Sequence, residues 1–180
     1  MRPTIRGLLP LICATMLASC SGGERAPDFT LRDDSGSEWT LSHQSGTAVL
    51  LTFGFTRCAD TCPATLAKLV RLVAAMPGRS RDVEIAFVTV DPSHDSVVVL
   101  HRYLSRFDED GIAPVGLTGT SAQIEHVKAA YHVWSQATAH EVAHSAAIFF
   151  IDPRGRLRGV HDDDDSATAL SRAVAEMLPS

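Results

Sequence analysis

Two cysteines four positions apart, Cys58 and Cys62, are the residues best suited to chemistry. Cysteine thiolates are nucleophiles in disulfide exchange, and a pair of them favours a soft cation such as Cu(I). Pro63 is typical of the first turn of a helix, whose partly positive N-terminus stabilises thiolates, and Arg57 adds a further positive charge. Asp60 is expected to cap that helix, with tuning of the thiol pKa values as the alternative. This spacing predicts either a redox pair or a site for one soft metal ion.

A metal ion held by two sulfur ligands alone is under-coordinated, so a metal site here needs a third ligand. The chain has eight histidines, and His144 comes directly before the apolar run 146–151, which has the length of a buried strand. Imidazole is a common metal ligand. His144 is therefore a candidate third ligand, while a structural or solvent-exposed histidine is the alternative interpretation.

Composition narrows the classes of function. With 180 residues, 45% of them hydrophobic, the chain can form one domain with a substantial core. A net charge of −5 and an aromatic content of 6% argue against nucleic acid as a partner. A bridge between Cys58 and Cys62 would close a short loop and contribute at most about 2 kcal/mol. Chemistry therefore explains this pair better than stability does.

The N-terminus has the pattern of a secretory signal, in which a short basic segment precedes an apolar run too short to span a bilayer. The run ends in Leu-Ala-Ser-Cys20, which is similar to the bacterial lipobox, a sequence cut before a cysteine that is then lipidated. An ordinary signal peptide with a coincidental cysteine is the alternative. We predict a signal peptide over residues 1–19, a lipidated Cys20 with a tether over 20–26, and a folded domain over 27–180. The protein would then be exported and anchored to a membrane, facing the periplasm or another extracytoplasmic space.

Hydrophobic patterns predict the elements that position the cysteines. Segments 28–31 and 38–41 flank a turn and indicate an N-terminal hairpin. Further strands are expected at 48–53, 83–90, 115–117, 146–151 and 156–160, and helices at 63–76, 96–107, 121–131 and 166–178.

This order predicts an α/β fold with a central mixed β-sheet flanked by helices, and a thioredoxin-like fold fits it. The last strand is expected to return antiparallel at one edge. In the thioredoxin fold a reactive cysteine pair lies at the turn from the first core strand to the first core helix, where Cys58 and Cys62 fall. A cis-proline faces the cysteines in thioredoxins, and here His144 takes its place, since no proline occurs between Pro114 and Pro153.

At these residues the sequence resembles the SCO/SenC family of membrane-tethered, thioredoxin-fold copper proteins, which help to assemble the CuA centre of cytochrome c oxidase. The resemblance covers residues 26–178. It implies that Cys58, Cys62 and His144 bind copper, as Cu(I) or Cu(II). It also implies a metallochaperone whose partner is the copper-site subunit of a terminal oxidase or another cuproprotein. The matching segments occur in the family's order at 54–63, 88–92, 116–119 and 142–145.

Three positions depart from the family's usual pattern. Ala59 replaces the proline that usually follows the first cysteine, and Arg57 stands where a histidine often precedes it. Ala143 replaces an acidic residue beside the predicted histidine ligand, which removes a carboxylate that could orient the imidazole. The three predicted ligands themselves are retained.

Two other functions use the same thiols. A thiol–disulfide oxidoreductase acting on the cysteines of a copper-site apoprotein would need Cys58 and Cys62 as a redox pair, and a thioredoxin-like reductant, but not His144. A peroxidase or redox sensor would use Cys58 as the reactive thiol. Cys62 would be the resolving thiol. This function ranks last because the usual arrangement of proline and threonine ahead of the reactive cysteine is absent.

Overall fold

The structure, a computed structural model, describes residues 23–137, 142–144 and 147–178. The predicted signal peptide and Cys20 lie outside the described residues. The strands are β1 (Thr30–Asp33), β2 (Glu38–Thr40), β3 (Ala48–Gly54), β4 (Val83–Thr89), β5 (Val115–Thr118), β6 (Ser135–Ala137), β7 (Val142–His144), β8 (Ala147–Ile151) and β9 (Leu157–Asp162). The helices are α1 (Thr61–Ala74), α2 (Val97–Leu104), α3 (Ser121–Ala130) and α4 (Ala167–Met177).

Seven strands form one mixed sheet in the order β2-β1-β5-β4-β3-β8-β9. The three strands β3, β4 and β5 are parallel, and the β1–β2 hairpin joins the sheet antiparallel to β5. As expected, β9 is an antiparallel edge strand. Its neighbour β8 also runs antiparallel to β3. The predicted mixed sheet, its flanking helices and the N-terminal hairpin are therefore confirmed.

The middle of the sheet is buried because helices cover it. All seven residues of β3 are buried, as expected for a continuous apolar run with no solvent-facing side. Helix α1 packs against β4 and α4, and α4 also contacts β8 and β9. The largest fully buried side chains include Phe53, Phe87 and Phe150, one from each of three adjacent strands. This core provides the rigid platform from which the cysteine loop leaves β3.

The register distinguishes two ends of the sheet. Strand β3 finishes at Gly54, and the chain then enters the loop that carries Cys58; we call this the cysteine end. At the opposite, distal end, Val49 pairs with Ile151, which in turn pairs with Leu157 at the start of β9. Because a strand rises about 3.4 Å per residue, the two ends are separated by about 20 Å along β3.

Two elements differ from the sequence-based expectation. Helix α2 ends at Leu104 and is followed by a single 3-10 turn, so it is shorter than predicted. A small antiparallel hairpin of β6 and β7 was not predicted, because its strands have three residues each and no apolar run. In the described part of the chain, no helix is long and apolar enough to cross a membrane.

Residues 23–26, inside the segment interpreted as a tether, contact the folded domain. The backbone carbonyl of Glu24 accepts a hydrogen bond from the Leu157 amide at 2.8 Å, and the Ala26 amide donates to the Gly155 carbonyl at 3.0 Å. Ala26 is buried. Residues 23–26 therefore lie along the distal end of β9.

Candidate metal centre

The two cysteines lie at the N-terminus of α1, as the sequence predicts. Cys62 is the second residue of the helix and is 4% exposed, whereas Cys58 lies in the preceding loop and is half-buried. The backbone N–H of Cys62 donates to the Cys58 sulfur at an N–S distance of 3.3 Å. Both cysteines are free thiols. The pair is therefore asymmetric, with one sulfur near the surface and one beneath it.

Burial places the Cys62 sulfur against the sheet. This burial, together with the smaller effect of the neighbouring Cys58, raises the pKa of the Cys62 thiol to about 12. A Cβ atom on Gly54 would lie 2.8 Å from the Cys62 sulfur and 2.6 Å from Cε2 of Phe87. Gly54 is thus required for Cys62 to pack here. A metal that binds this sulfur must displace its proton.

A fully buried carboxylate holds the loop that leads to Cys58. Asp95 accepts hydrogen bonds from the Thr56 amide at 3.0 Å and from the Thr56 hydroxyl at 2.5 Å. The same carboxylate accepts from the Thr89 hydroxyl at 2.6 Å, at the end of β4. Asp95 therefore ties the cysteine loop to the adjacent strand two residues before Cys58. The sequence carries no local signal for this role, because an aspartate directly before a helix start has the pattern of an ordinary loop residue.

A second carboxylate neutralises the cation beside the pair. Asp91 accepts a hydrogen bond from Arg57 at 2.6 Å and contacts the His94 ring at 2.8 Å. Burial alone would raise the pKa of Asp91, but the hydrogen bonds from His94, Arg57 and Ser93 outweigh it and lower the pKa. The Arg57 charge is therefore paired with Asp91 rather than left to act on the cysteine sulfurs alone.

The capping prediction for Asp60 is wrong. Asp60 occupies the N-cap position of α1, but its exposed side chain makes no capping hydrogen bond, and its backbone has φ −126° and ψ −65°. The Cys58 sulfur accepts the Cys62 amide instead. At many helix starts the carboxylate of the N-cap residue accepts such an amide N–H. Here the acceptor is the sulfur of Cys58, a candidate metal ligand.

The backbone of His144 ends β7, where it pairs with Ser135. Its side chain lies outside what the structure describes, so its role as a ligand stays a prediction. The topology places this backbone near the cysteine end, because β8 begins there only three residues later, with Ile148 paired to Thr52. Among the described side chains, no group of three His, Cys, Asp or Glu is arranged to hold a metal ion. The structure thus shows two of the three predicted ligands together.

Comparisons with known proteins agree with this architecture. The sequence matches the SCO1/SenC family over residues 12–179. It is 36% identical over 156 residues to the Bos taurus protein named "Protein SCO2 homolog, mitochondrial". This alignment covers 82% of this chain and 57% of that protein. The chain thus spans less than two thirds of the length of this relative.

Two solved structures share the fold. Arabidopsis thaliana ScoI with copper bound superposes with a TM-score of 0.77 at 29% identity, over 84% of this chain and 96% of that one. Bradyrhizobium japonicum ScoI with copper bound gives a TM-score of 0.76 at 27% identity, over 86% of this chain and 99% of that one. The thioredoxin-like fold and the family resemblance are confirmed, and this chain belongs to the SCO1/SenC family.

Proposed function

We propose that this protein binds copper as a cargo through Cys58, Cys62 and His144. We further propose that it delivers the metal to the copper-site subunit of a terminal oxidase, for assembly of the CuA centre of cytochrome c oxidase. Family membership supports this proposal, as do the related structures described as having copper bound. The observation that carries it is the pair of free sulfurs joined through the Cys62 amide at the start of α1.

The asymmetry of the pair suits a transfer reaction. Two thiolates and an imidazole form a ligand set that favours Cu(I), and Cys62 gives up its proton when the metal binds. Cys62 then holds the metal from the buried side, while Cys58 is the ligand that an incoming protein can replace. Asp95 keeps the loop in place during this exchange by fixing Thr56.

We expect the protein to act outside the cytoplasmic membrane, anchored through a lipidated Cys20. The apolar N-terminal run and the sequence Leu-Ala-Ser-Cys20 support this location. An exported protein works in an oxidising compartment, where neighbouring thiols tend to form a disulfide. Tight Cu(I) binding needs both cysteines reduced, so a thioredoxin-like reductant is an expected second partner.

A thiol–disulfide oxidoreductase remains the second candidate, and the unequal exposure of the two thiols favours it. Cys58 would attack a disulfide of a copper-site apoprotein to form a mixed disulfide. Cys62 would then attack the Cys58 sulfur, which releases the reduced client and leaves a Cys58–Cys62 disulfide. This cycle uses both cysteines but does not need His144.

The test is an anaerobic Cu(I) titration of the reduced protein against a competing chelator. Wild type should bind one equivalent tightly, and Cys58→Ser, Cys62→Ser and His144→Ala should each weaken binding by more than about 100-fold, since even groups that only orient a ligand contribute 10–100-fold. His43→Ala is the matched control, because His43 is exposed in a 3-10 turn away from the cysteine loop, and it should bind as wild type does.

The same variants separate the two candidates. Weak copper binding by wild type, together with disulfide reductase activity that His144→Ala leaves unchanged, would contradict the chaperone and support the oxidoreductase. Loss of copper binding in all three ligand variants, with His43→Ala unaffected, would establish the three-ligand site.

A further inference from the structure

Four arginines cluster at the distal end of the sheet, far from the cysteines. We call Arg25, Arg154, Arg156 and Arg158 the basic corner. All four are exposed, and they lie on the N-terminal segment, on the turn between β8 and β9, and on the start of β9. The backbones of Arg25 and Arg156 form an isolated antiparallel β-bridge, which brings the two chain segments together. Positive charge is thus gathered at one corner of a chain whose net charge is −5.

The acidic groups at this corner are fewer. Asp152 is buried, and its carboxylate accepts the backbone amides of Arg154 at 2.9 Å and Arg156 at 3.0 Å. The Arg158 guanidinium lies 3.8 Å from the same carboxylate. Glu24 is exposed beside Arg25. A third carboxylate, Asp28, accepts the backbone amide of Ser42 at 2.9 Å. Four cations against three carboxylates leave a surplus of one positive charge.

A cavity opens within the corner. It has a volume of about 230 Å³ and lies between the N-terminal segment, the 3-10 turn after β2 and the turn after β8. At about 30 Å³ per water molecule it has room for a hydrated phosphate group. Two guanidinium groups beside hydroxyls suit phosphate oxygens, because arginine binds phosphate in a bidentate manner. Its polar lining includes Arg25, Arg154, Ser42, Ser45, Thr47 and Asp152.

The chain itself limits how far this corner can lie from an anchor at Cys20. Gly23 is held against β9, where the Arg156 side chain donates to its carbonyl at 3.1 Å. Gly23 comes three positions after Cys20, and an extended chain spans at most about 3.6 Å per residue. A lipid on Cys20 would therefore enter the membrane within about 11 Å of Gly23. The cysteine pair lies at the other end of the sheet.

We propose that the basic corner binds the phosphate headgroups of anionic phospholipids and holds the anchored domain with its cysteine end turned away from the membrane. This inference rests on the lipid anchor in the proposed function. Anionic lipids attract basic side chains near the surface, and each contributes roughly a fivefold increase in binding. The short connection to Cys20 brings these arginines close to the headgroups.

Arginine footprinting tests this orientation. The purified full chain is reconstituted in vesicles of phosphatidylcholine alone, or with 30% phosphatidylglycerol, and treated with phenylglyoxal, which modifies accessible arginines. We expect modification of Arg25, Arg154 and Arg156 to slow at least fivefold with phosphatidylglycerol, and 1 M salt to remove this protection because exposed charges are then screened. Arg57, at the cysteine end, serves as the internal control and should react equally fast on both vesicles.

Variants sharpen the result. In a protein with both Arg154→Gln and Arg156→Gln, Arg25 should lose its protection, because the surplus charge is gone. The matched control carries Arg79→Gln and Arg81→Gln, which are also at the distal end but outside the basic corner, and Arg25 should stay protected there. Both substituted arginines of the basic corner are exposed, so folding is preserved and is checked by circular dichroism.

Several outcomes would overturn the proposal. Equal protection on both vesicles would show that the arginines lie near the membrane without binding its anionic headgroups. Protection by 10 mM inorganic phosphate on phosphatidylcholine vesicles, as strong as that by phosphatidylglycerol, would assign the cavity to a free anion. A full chain that fails to float with phosphatidylcholine vesicles would remove the anchor on which the geometry depends. Copper titration of the same samples is independent, so failure of copper binding would contradict the proposed function and leave the arginine protection to be judged separately.

Discussion

The two ends of the sheet are built in opposite ways. At the cysteine end, a buried carboxylate and a buried thiol fix a few atoms by hydrogen bonds and close packing. At the distal end, the exposed Arg25 and Arg154 line a cavity, and the N-terminal segment is held there mainly through backbone hydrogen bonds. Fixed geometry suits a metal ion that needs a defined set of ligands. Exposed positive charges suit a lipid membrane, whose anionic headgroups are spread over a wide surface and move laterally.

Strand β9 connects these two environments. It begins beside Arg156 and Arg158 at the distal end and finishes at Asp162, the first of four consecutive aspartates, at the cysteine end. Lys68 donates to the backbone carbonyls of Asp163 and Asp165, which ties the acidic turn to α1. Positively charged side chains therefore lie at the start of β9, and negatively charged side chains lie at its end and in the turn that follows. The comparison predicts that substitutions at the cysteine end cost stability, whereas those at the distal end change local contacts.

The largest effect is expected at Asp95. Asp95→Ala should lower the free energy of unfolding by about 3 kcal/mol, because the amide and hydroxyl of Thr56 and the hydroxyl of Thr89 lose a buried charged acceptor. Urea unfolding of the reduced, metal-free protein measures this change. Copper affinity should fall as well, since the loop before Cys58 loses its attachment.

Asp60→Ala is the matched control for Asp95. Asp60 is exposed and makes no capping hydrogen bond, so this substitution should change the free energy of unfolding by less than about 0.5 kcal/mol. Equal destabilisation by the two substitutions would contradict the role assigned to the buried carboxylate.

The next effect is expected at Gly54. Gly54→Ala should destabilise the protein by about 1–3 kcal/mol, because the added methyl would overlap Phe87 and the Cys62 sulfur. Thermal unfolding measures it. Gly159→Ala is the control, since a Cβ on Gly159 meets its nearest neighbour, His161, at an ordinary 3.4 Å. If Gly54→Ala proves as harmless as Gly159→Ala, the close packing at the cysteine end is not needed for stability.

The two thiols should differ in reactivity by at least about tenfold at pH 8. The pKa of Cys62 is raised to about 12 by burial and by the interaction with Cys58, so almost all of this thiol is protonated and unreactive at pH 8. Below pH 12 its thiolate fraction, and hence its alkylation rate, should rise about tenfold per pH unit. Mass spectrometry after timed alkylation of the metal-free, reduced protein resolves the two sites. In urea both cysteines should react alike, and equal rates in the folded protein would contradict the buried position of Cys62.

The smallest effect is expected at Gly23, at the distal end. A Cβ there would lie 2.2 Å from the Leu157 carbonyl oxygen, so Gly23→Ala should release the N-terminal segment from β9. Global stability should change by less than about 0.5 kcal/mol, because only a terminal segment is lost. Hydrogen exchange at the Leu157 amide, which donates to Glu24, should accelerate at least fivefold. Glu24→Ala keeps that backbone bond and should exchange as wild type does; acceleration in both variants would show that the carbonyl contact is not the cause.

Much of the fold follows from local patterns in the sequence. Apolar runs predicted the central strands, because a strand covered on both faces cannot alternate with polar residues. Helix starts at Ser96, Thr120 and Ser166 carry side-chain caps, which is typical of these residue types. Helix α1 begins two residues before Pro63, since proline is accommodated anywhere in the first turn. The β6–β7 hairpin had no such signal.

The site was predicted only in part, for a physical reason. The position of Cys58 and Cys62 follows from the order of elements, and the structure places them at the start of α1. The contact of Asp95 with Thr56 joins residues 39 positions apart, and no local pattern encodes such a contact. The error at Asp60 has the same origin, because local propensity favours a carboxylate cap, whereas the folded loop brings the Cys58 sulfur to the helix amide.

The position of β9 has a consequence for how copies of this protein behave together. It is an edge strand, and exposed edges of sheets promote pairing between molecules and aggregation. Here the chain's own N-terminal segment occupies the first position of that edge, Arg158 charges the next, and a run of aspartates follows the last. In the proposed anchored state, copies of this protein would meet at high local density. A covered and charged edge would then keep neighbouring copies from joining their sheets.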